Sequence, residues 1–126
     1  DNGEFSALDD GAFYNTKTGK WTKISKVGAP SKRHEHIAAW NGKKMLIWGG
    51  LRGATVLSDG ALYDPEKDTW EKLPSPPNGF SKRYGATSAW TGEALVVWGG
   101  SSQRGGERVQ LGDGAILRFP KKEWGE

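Results

Sequence analysis

The side chains best equipped for recognition chemistry are cations in two matching sets. Ser31-Lys32-Arg33 and Ser81-Lys82-Arg83 stand fifty residues apart, and Lys26, Arg52, Arg104 and Arg108 fall in irregular stretches between apolar runs. A guanidinium offers a planar fork of donors that pairs bidentately with carboxylate, phosphate or sulfate, so such cations gathered on one surface would suit an anionic partner. Against them those stretches hold one internal acid, Glu107. His34 and His36 form a His-x-His pair on one face of a strand, a pattern that can chelate a metal. The pair lacks a third ligand and reads as structural, so neither a metal nor any other cofactor is expected.

Other chemistries find little support. No nucleophile, base and orienting group come together in the sequence, and the Gly-Gly pairs fit neither Walker nor dinucleotide patterns. Zero Cys removes disulfides and thiolate metal sites. A net charge of +3 over 126 residues is too small to imply nucleic acid. No run approaches the roughly 18 apolar residues of a membrane-spanning helix. The chain reads as a non-enzymatic binding module.

The elements that must position these cations are set by a repeat. SKRHEHIAAWNGKKMLIWGG (31–50) returns as SKRYGATSAWTGEALVVWGG (81–100), and a fixed period near fifty means a repeat architecture. In each copy a short run ends at Trp, a two-residue turn follows (Asn41-Gly42, Thr91-Gly92), and an apolar run leads into Trp-Gly-Gly, which is a hairpin pattern. The second run, Met45 to Trp48 or Leu95 to Trp98, does not alternate with polar residues, so both faces of that strand are expected to be covered. A second motif alternates with the first: Asp-Gly-Ala begins at Asp10, Asp59 and Asp113, and a Trp follows ten residues after each Gly, at Trp21, Trp70 and Trp124. That is a further hairpin, with Asn15-Thr16 or Asp64-Pro65 supplying turn chemistry. The sequence predicts an all-β chain in which one repeat is four short antiparallel strands, and Ser101 to Gly112 is read as a loop insertion. Seven periodic Trp read as packing residues rather than a sugar-stacking platform.

In combination, Arg33-His34-Glu35-His36, Trp48-Gly49-Gly50 and Tyr63-Asp64-Pro65-Glu66-Lys67-Asp68-Thr69-Trp70 resemble kelch repeats, and are most similar to the bacterial Trp-Gly-Gly variety. The resemblance implies β-propeller blades. Residues 1–30 would be a half blade, the last two strands of a preceding blade; 31–80 a complete blade; and 81–126 a second blade with a short last strand. Two and a half blades do not close a ring, for which four to eight are usual. The missing blades would come either from a longer chain or from other copies.

The tight turns lie on one rim and the longer connections on the other, where function tends to sit. The resemblance to kelch propellers implies a peptide-binding surface on that loop rim, which carries Arg33, Arg83, Arg52 and Ser101 or Ser102 into the candidate site beside Lys32, Lys82 and Arg104. The expected partner is an acidic protein or peptide. A glycan bound by an extracytoplasmic propeller and a purely structural role in a larger assembly are the alternatives. Burial of Arg33, Arg83 and Arg52 in blade contacts would count against the rim reading.

Overall fold

The computed structural model describes residues 6–119 and 122–125. Among these residues there are fourteen strands and no helix. The first sheet pairs β1 (Ala12–Asn15) with β2 (Lys20–Lys23). The next is four-stranded, in the order β3 (Ile37–Trp40), β4 (Met45–Trp48), β7 (Gly60–Asp64), β8 (Thr69–Lys72). The last repeats that order with β9 (Thr87–Trp90), β10 (Ala94–Trp98), β13 (Gly114–Arg118) and β14 (Glu123–Gly125). Every pairing is antiparallel. The two four-stranded sheets lie side by side, as expected of propeller blades, and among the described residues the sheets do not close into a ring.

Each β4-like strand runs through the middle of its blade because its neighbours on both edges are fixed by the repeat. Trp48 faces Gly60 across the ladder, and Trp98 faces Gly114. The core lies between the two four-stranded sheets, where Ile37, Leu46, Trp48 and Leu62 meet Leu95, Val97 and Leu117. Burying this cluster stabilises the joint by roughly 1.5–3 kcal/mol per large side chain.

The unalternating strands differ in their cover. β4 is covered on both faces and Trp48 is 0% exposed, whereas its counterpart Trp98 on β10 is 58% exposed. The expectation of two covered faces therefore holds for one copy only. Cover on a sheet face depends on a neighbouring blade, and among the described residues only the second of the two four-stranded blades lacks one on its Trp98 side.

Two further corrections concern connections. The segment read as the loop Ser101 to Gly112 is a hairpin, β11 (Ser101–Arg104) paired with β12 (Glu107–Gln110). Gly105 and Gly106 have φ of 58° and 82° at its tip, which suits the two-residue turn that matches strand twist. A smaller hairpin, β5 (Leu51–Arg52) with β6 (Thr55–Val56), fills the equivalent place in the first complete blade. The turn expected at Asn41-Gly42 is centred one residue later, closed by Asn41 N donating to Lys44 O at 3.1 Å. Asn41 Oδ1 accepts from the amides of Lys43 and Lys44, so the side chain caps the turn and Gly42 takes the positive φ.

Blades are also tied along their outer edges. Trp70 Nε1 donates to Ser25 O at 2.8 Å, and Trp124 Nε1 donates to Pro74 O at 3.0 Å. At the first joint Asp68 Oδ1 accepts from Ser25 N and from the Tyr63 hydroxyl; at the second, Lys122 pairs with Glu71.

Candidate binding rim

Antiparallel order places the start of β3 and β9, the ends of β4 and β10, and both added hairpins at one end of the blades. All the sequence-predicted site residues lie on this rim, but they divide into two groups.

Arg33 and Arg83 are buried and spent on the fold. Arg33 Nε donates to Ser31 O, Nη1 donates to Gly49 O at 3.1 Å and Asp59 O at 3.0 Å, and Nη2 reaches Ser31 Oγ and Asp59 Oδ1. Arg83 repeats this with Ser81 O, Gly99 O, Asp113 O and Asp113 Oδ1, the last at 2.9 Å, and its guanidinium also lies 4.0 Å from the centroid of Phe80. Each fork clips the strand that ends in Gly-Gly to the strand that begins with Asp-Gly. A buried guanidinium is tolerable because its donors are matched by acceptors. This removes Arg33 and Arg83 from the contact surface expected of them.

The count of one acid on the rim is corrected by the same contacts. Asp59 and Asp113, 66% and 55% exposed at the side chain, belong to the rim and neutralise the two arginines, and Lys26 pairs with Asp9 at 3.0 Å. The Asp-Gly motif carried the signal for this, since an acid opens each third strand at the rim end.

Ser101 and Ser102 are buried as well. Ser101 exchanges backbone hydrogen bonds with Tyr84, and its Oγ accepts from Arg108 Nε at 3.2 Å. The Arg108 guanidinium lies 5.9 Å from the Tyr84 ring centroid, so this cation is half committed to its own hairpin.

Lys32, Arg52, Lys82 and Arg104 are exposed and make no ion pair with a described residue. Arg52 and Arg104 stand on the two added hairpins, at β5 and β11. These are the rim cations left for a partner.

His34 is held by backbone bonds to Leu51, and its Nδ1 lies 3.7 Å from Glu35 Oε1. Burial lowers the pKa of His36, with the charges of Arg33 and His34 adding to the effect. Among the described residues no three His, Asp or Glu gather as a metal site.

A family model for the KLHDC2/KLHL20/DRC7 kelch-repeats domain matches residues 1–126. The chain belongs to the kelch-repeat family. It is 32% identical over 84 residues to the Kelch-like protein terF of Aspergillus terreus, 63% of this chain and 18% of that protein. It is 34% identical over 77 residues to Multiple epidermal growth factor-like domains protein 8 of Mus musculus, 60% of this chain and 3% of that protein. A Kelch domain-containing protein of Sulfurisphaera tokodaii is 37% identical over 65 residues, 51% of this kelch chain and 9% of the archaeal one. The kelch chain thus spans less than a fifth of the length of these relatives. Kelch repeats generally serve as protein-interaction modules, which fits the placement of exposed cations on connecting hairpins.

Proposed function

We propose that this kelch chain is a non-enzymatic binding module that takes an acidic protein or peptide through the loop rim. The observation that carries the reading is the split among the rim cations: the signature arginines are neutralised internally, while Lys32, Arg52, Lys82 and Arg104 are exposed and form no ion pair with a described acid, although Glu107 stands across the ladder from Arg104. Two of the four stand on short hairpins whose own ladders hold them in place, so they reach a partner with less ordering cost than loop residues would. The relatives come from a fungus, a mammal and an archaeon, so the bacterial setting suggested by the resemblance to Trp-Gly-Gly kelch repeats does not enter the proposal.

The test is fluorescence anisotropy with a labelled oligoglutamate peptide, run against a neutral oligosaccharide of similar size. Screening shortens from about 10 Å at 0.1 M salt to about 3 Å at 1 M, so peptide binding should weaken steeply with salt. The paired variant Arg52→Glu, Arg104→Glu should weaken it further. Binding that is indifferent to salt or to charge reversal, or binding of the sugar alone, overturns the proposal.

A further inference from the structure

Asn-Gly occurs at Asn2, Asn41 and Asn78, the first of them outside the described residues. In such a pair the glycine amide has no neighbouring side chain to shield it and the asparagine carboxamide is within its reach, so the chain can react with itself. The rate depends on how each carboxamide is held. Asn41 Oδ1 accepts from Lys43 N at 2.9 Å and from Lys44 N at 2.7 Å, so its Cγ cannot turn towards Gly42 N without breaking both bonds. Asn78 is exposed, and neither its carboxamide nor Gly79 N makes a hydrogen bond with a described residue. The turn that presents Asn78 is closed by other atoms. Phe80 N donates to Pro77 O at 3.0 Å, and Gly79 takes the positive φ, 87°, that the third residue of a type II turn requires. A Cβ at Gly79 would meet nothing within 4 Å, so no packing fixes the backbone there.

A new charge at this place would fall beside a rim cation. Asn78 lies in the connector between the two four-stranded sheets and lines a cavity of about 440 Å3 together with Ser58, Asp59, Ser75 and Lys82. Asp59 is paired with Arg33 at 3.0 Å, whereas Lys82 has no ion pair with a described residue. A carboxylate at position 78 would therefore share its cavity with an uncommitted ammonium.

We propose that Asn78 is a self-acting deamidation site, and that its conversion to a carboxylate withdraws Lys82 from the loop rim. The lone pair of Gly79 N attacks Asn78 Cγ, the Cγ–Nδ2 bond breaks, and ammonia leaves with the amide proton. Water then opens the succinimide at either carbonyl, giving Asp or isoAsp, so the net exchange is water in and ammonia out. Both products carry the new carboxylate. IsoAsp also adds a main-chain methylene two residues before Phe80, whose ring packs against Trp48 and Arg83. Deamidation needs nothing from the binding role proposed for the rim; the loss of Lys82 as a contact rests on it.

The purified chain is incubated at mildly alkaline pH, digested, and mapped by mass spectrometry against a synthetic peptide of residues 73–82. Asn78 should convert at close to the peptide's rate. Asn41 should convert about tenfold or more slowly, because two hydrogen bonds must break before its Cγ can turn. An intact Asn78, or Asn41 converting as fast, overturns the proposal. Aged chain and the Asn78→Asp variant should both bind labelled oligoglutamate more weakly than fresh chain, by up to about fivefold, the range for one exposed ion pair. Asn78→Gln, which keeps a neutral carboxamide but cannot readily form the ring, should bind as the fresh parent does and lose nothing on ageing. Equal binding by fresh chain and Asn78→Asp overturns the link to Lys82. Should oligoglutamate bind none of the chains, the rim reading fails and the link with it, while the mass map still decides the site.

Discussion

Replacing Arg83 by Ala should destabilise the chain far more than replacing any exposed rim cation. The guanidinium is fully enclosed, donates to the carbonyls of Ser81, Gly99 and Asp113 and to the Asp113 carboxylate, and stacks on Phe80. Hydrogen bonds from a charged group contribute about 1.5–3 kcal/mol each, and removing one partner of a buried ion pair costs about 3–5 kcal/mol. Asp113 remains more than half exposed and can turn to water, which offsets part of the loss, so the expected cost is about 3 kcal/mol. Urea unfolding monitored by Trp fluorescence measures it. Arg83→Lys keeps the charge but loses the fork, and about half the cost is expected because one ammonium cannot also reach Ser81 O and Asp113 Oδ1, which Nε and Nη2 of the guanidinium serve. Should Arg83→Ala fail to fold, the lysine variant still reports the effect. Arg104→Ala, on an exposed hairpin, should stay within about 0.5 kcal/mol of the parent. If Arg83→Ala unfolds at the same urea concentration as Arg104→Ala, the clip is not what joins the strands and the reasoning fails.

The two Trp-Gly-Gly tryptophans should behave differently: Trp48→Ala should cost about 3–5 kcal/mol and Trp98→Ala under about 1 kcal/mol, read as shifts in the urea midpoint. Burial and the Asp68 hydrogen bond push the Tyr63 hydroxyl up to about 12, above its ordinary 10.0, so its contribution to stability is present below pH 10 and lost as pH rises toward 12. A tyrosinate absorbance titration should show one of the three tyrosines ionising near 12, and Tyr63→Phe should remove that step. The Asp68 carboxyl is held below the usual carboxylate range by the Tyr63 hydroxyl and the Ser25 amide, so its contribution is present above the ordinary carboxylate pKa and lost on acidification below it. Tyr63→Phe should therefore move the Asp68 carboxyl titration, followed by carboxyl-carbon NMR, to higher pH; no movement would refute the assigned bond. At the tip of the β11–β12 hairpin, Gly106→Ala should destabilise by about 1 kcal/mol because of the positive φ there, with faster amide exchange at Val109 as the readout.

The sequence by itself determined the repeat, the four-strand blade and the end of the blade on which the long connections lie. Those features are written in local patterns: the fifty-residue return of Ser-Lys-Arg, the apolar runs closing in Trp-Gly-Gly, and the Asp-Gly-Ala strands answered by Trp70 and Trp124. What each candidate side chain does there was decided only by tertiary structure. Arg33 meets Asp59 across 26 residues and Arg83 meets Asp113 across 30, in strands assigned to a different motif, so their charges vanish into the fold although they look free along the chain. Trp48 and Trp98 occupy identical places in the repeat and end up at 0% and 58% exposure. Patterning specifies a strand and its faces from nearest neighbours in sequence, whereas cover and charge pairing come from whichever blade packs alongside, and that neighbour is fixed only when the sheets come together.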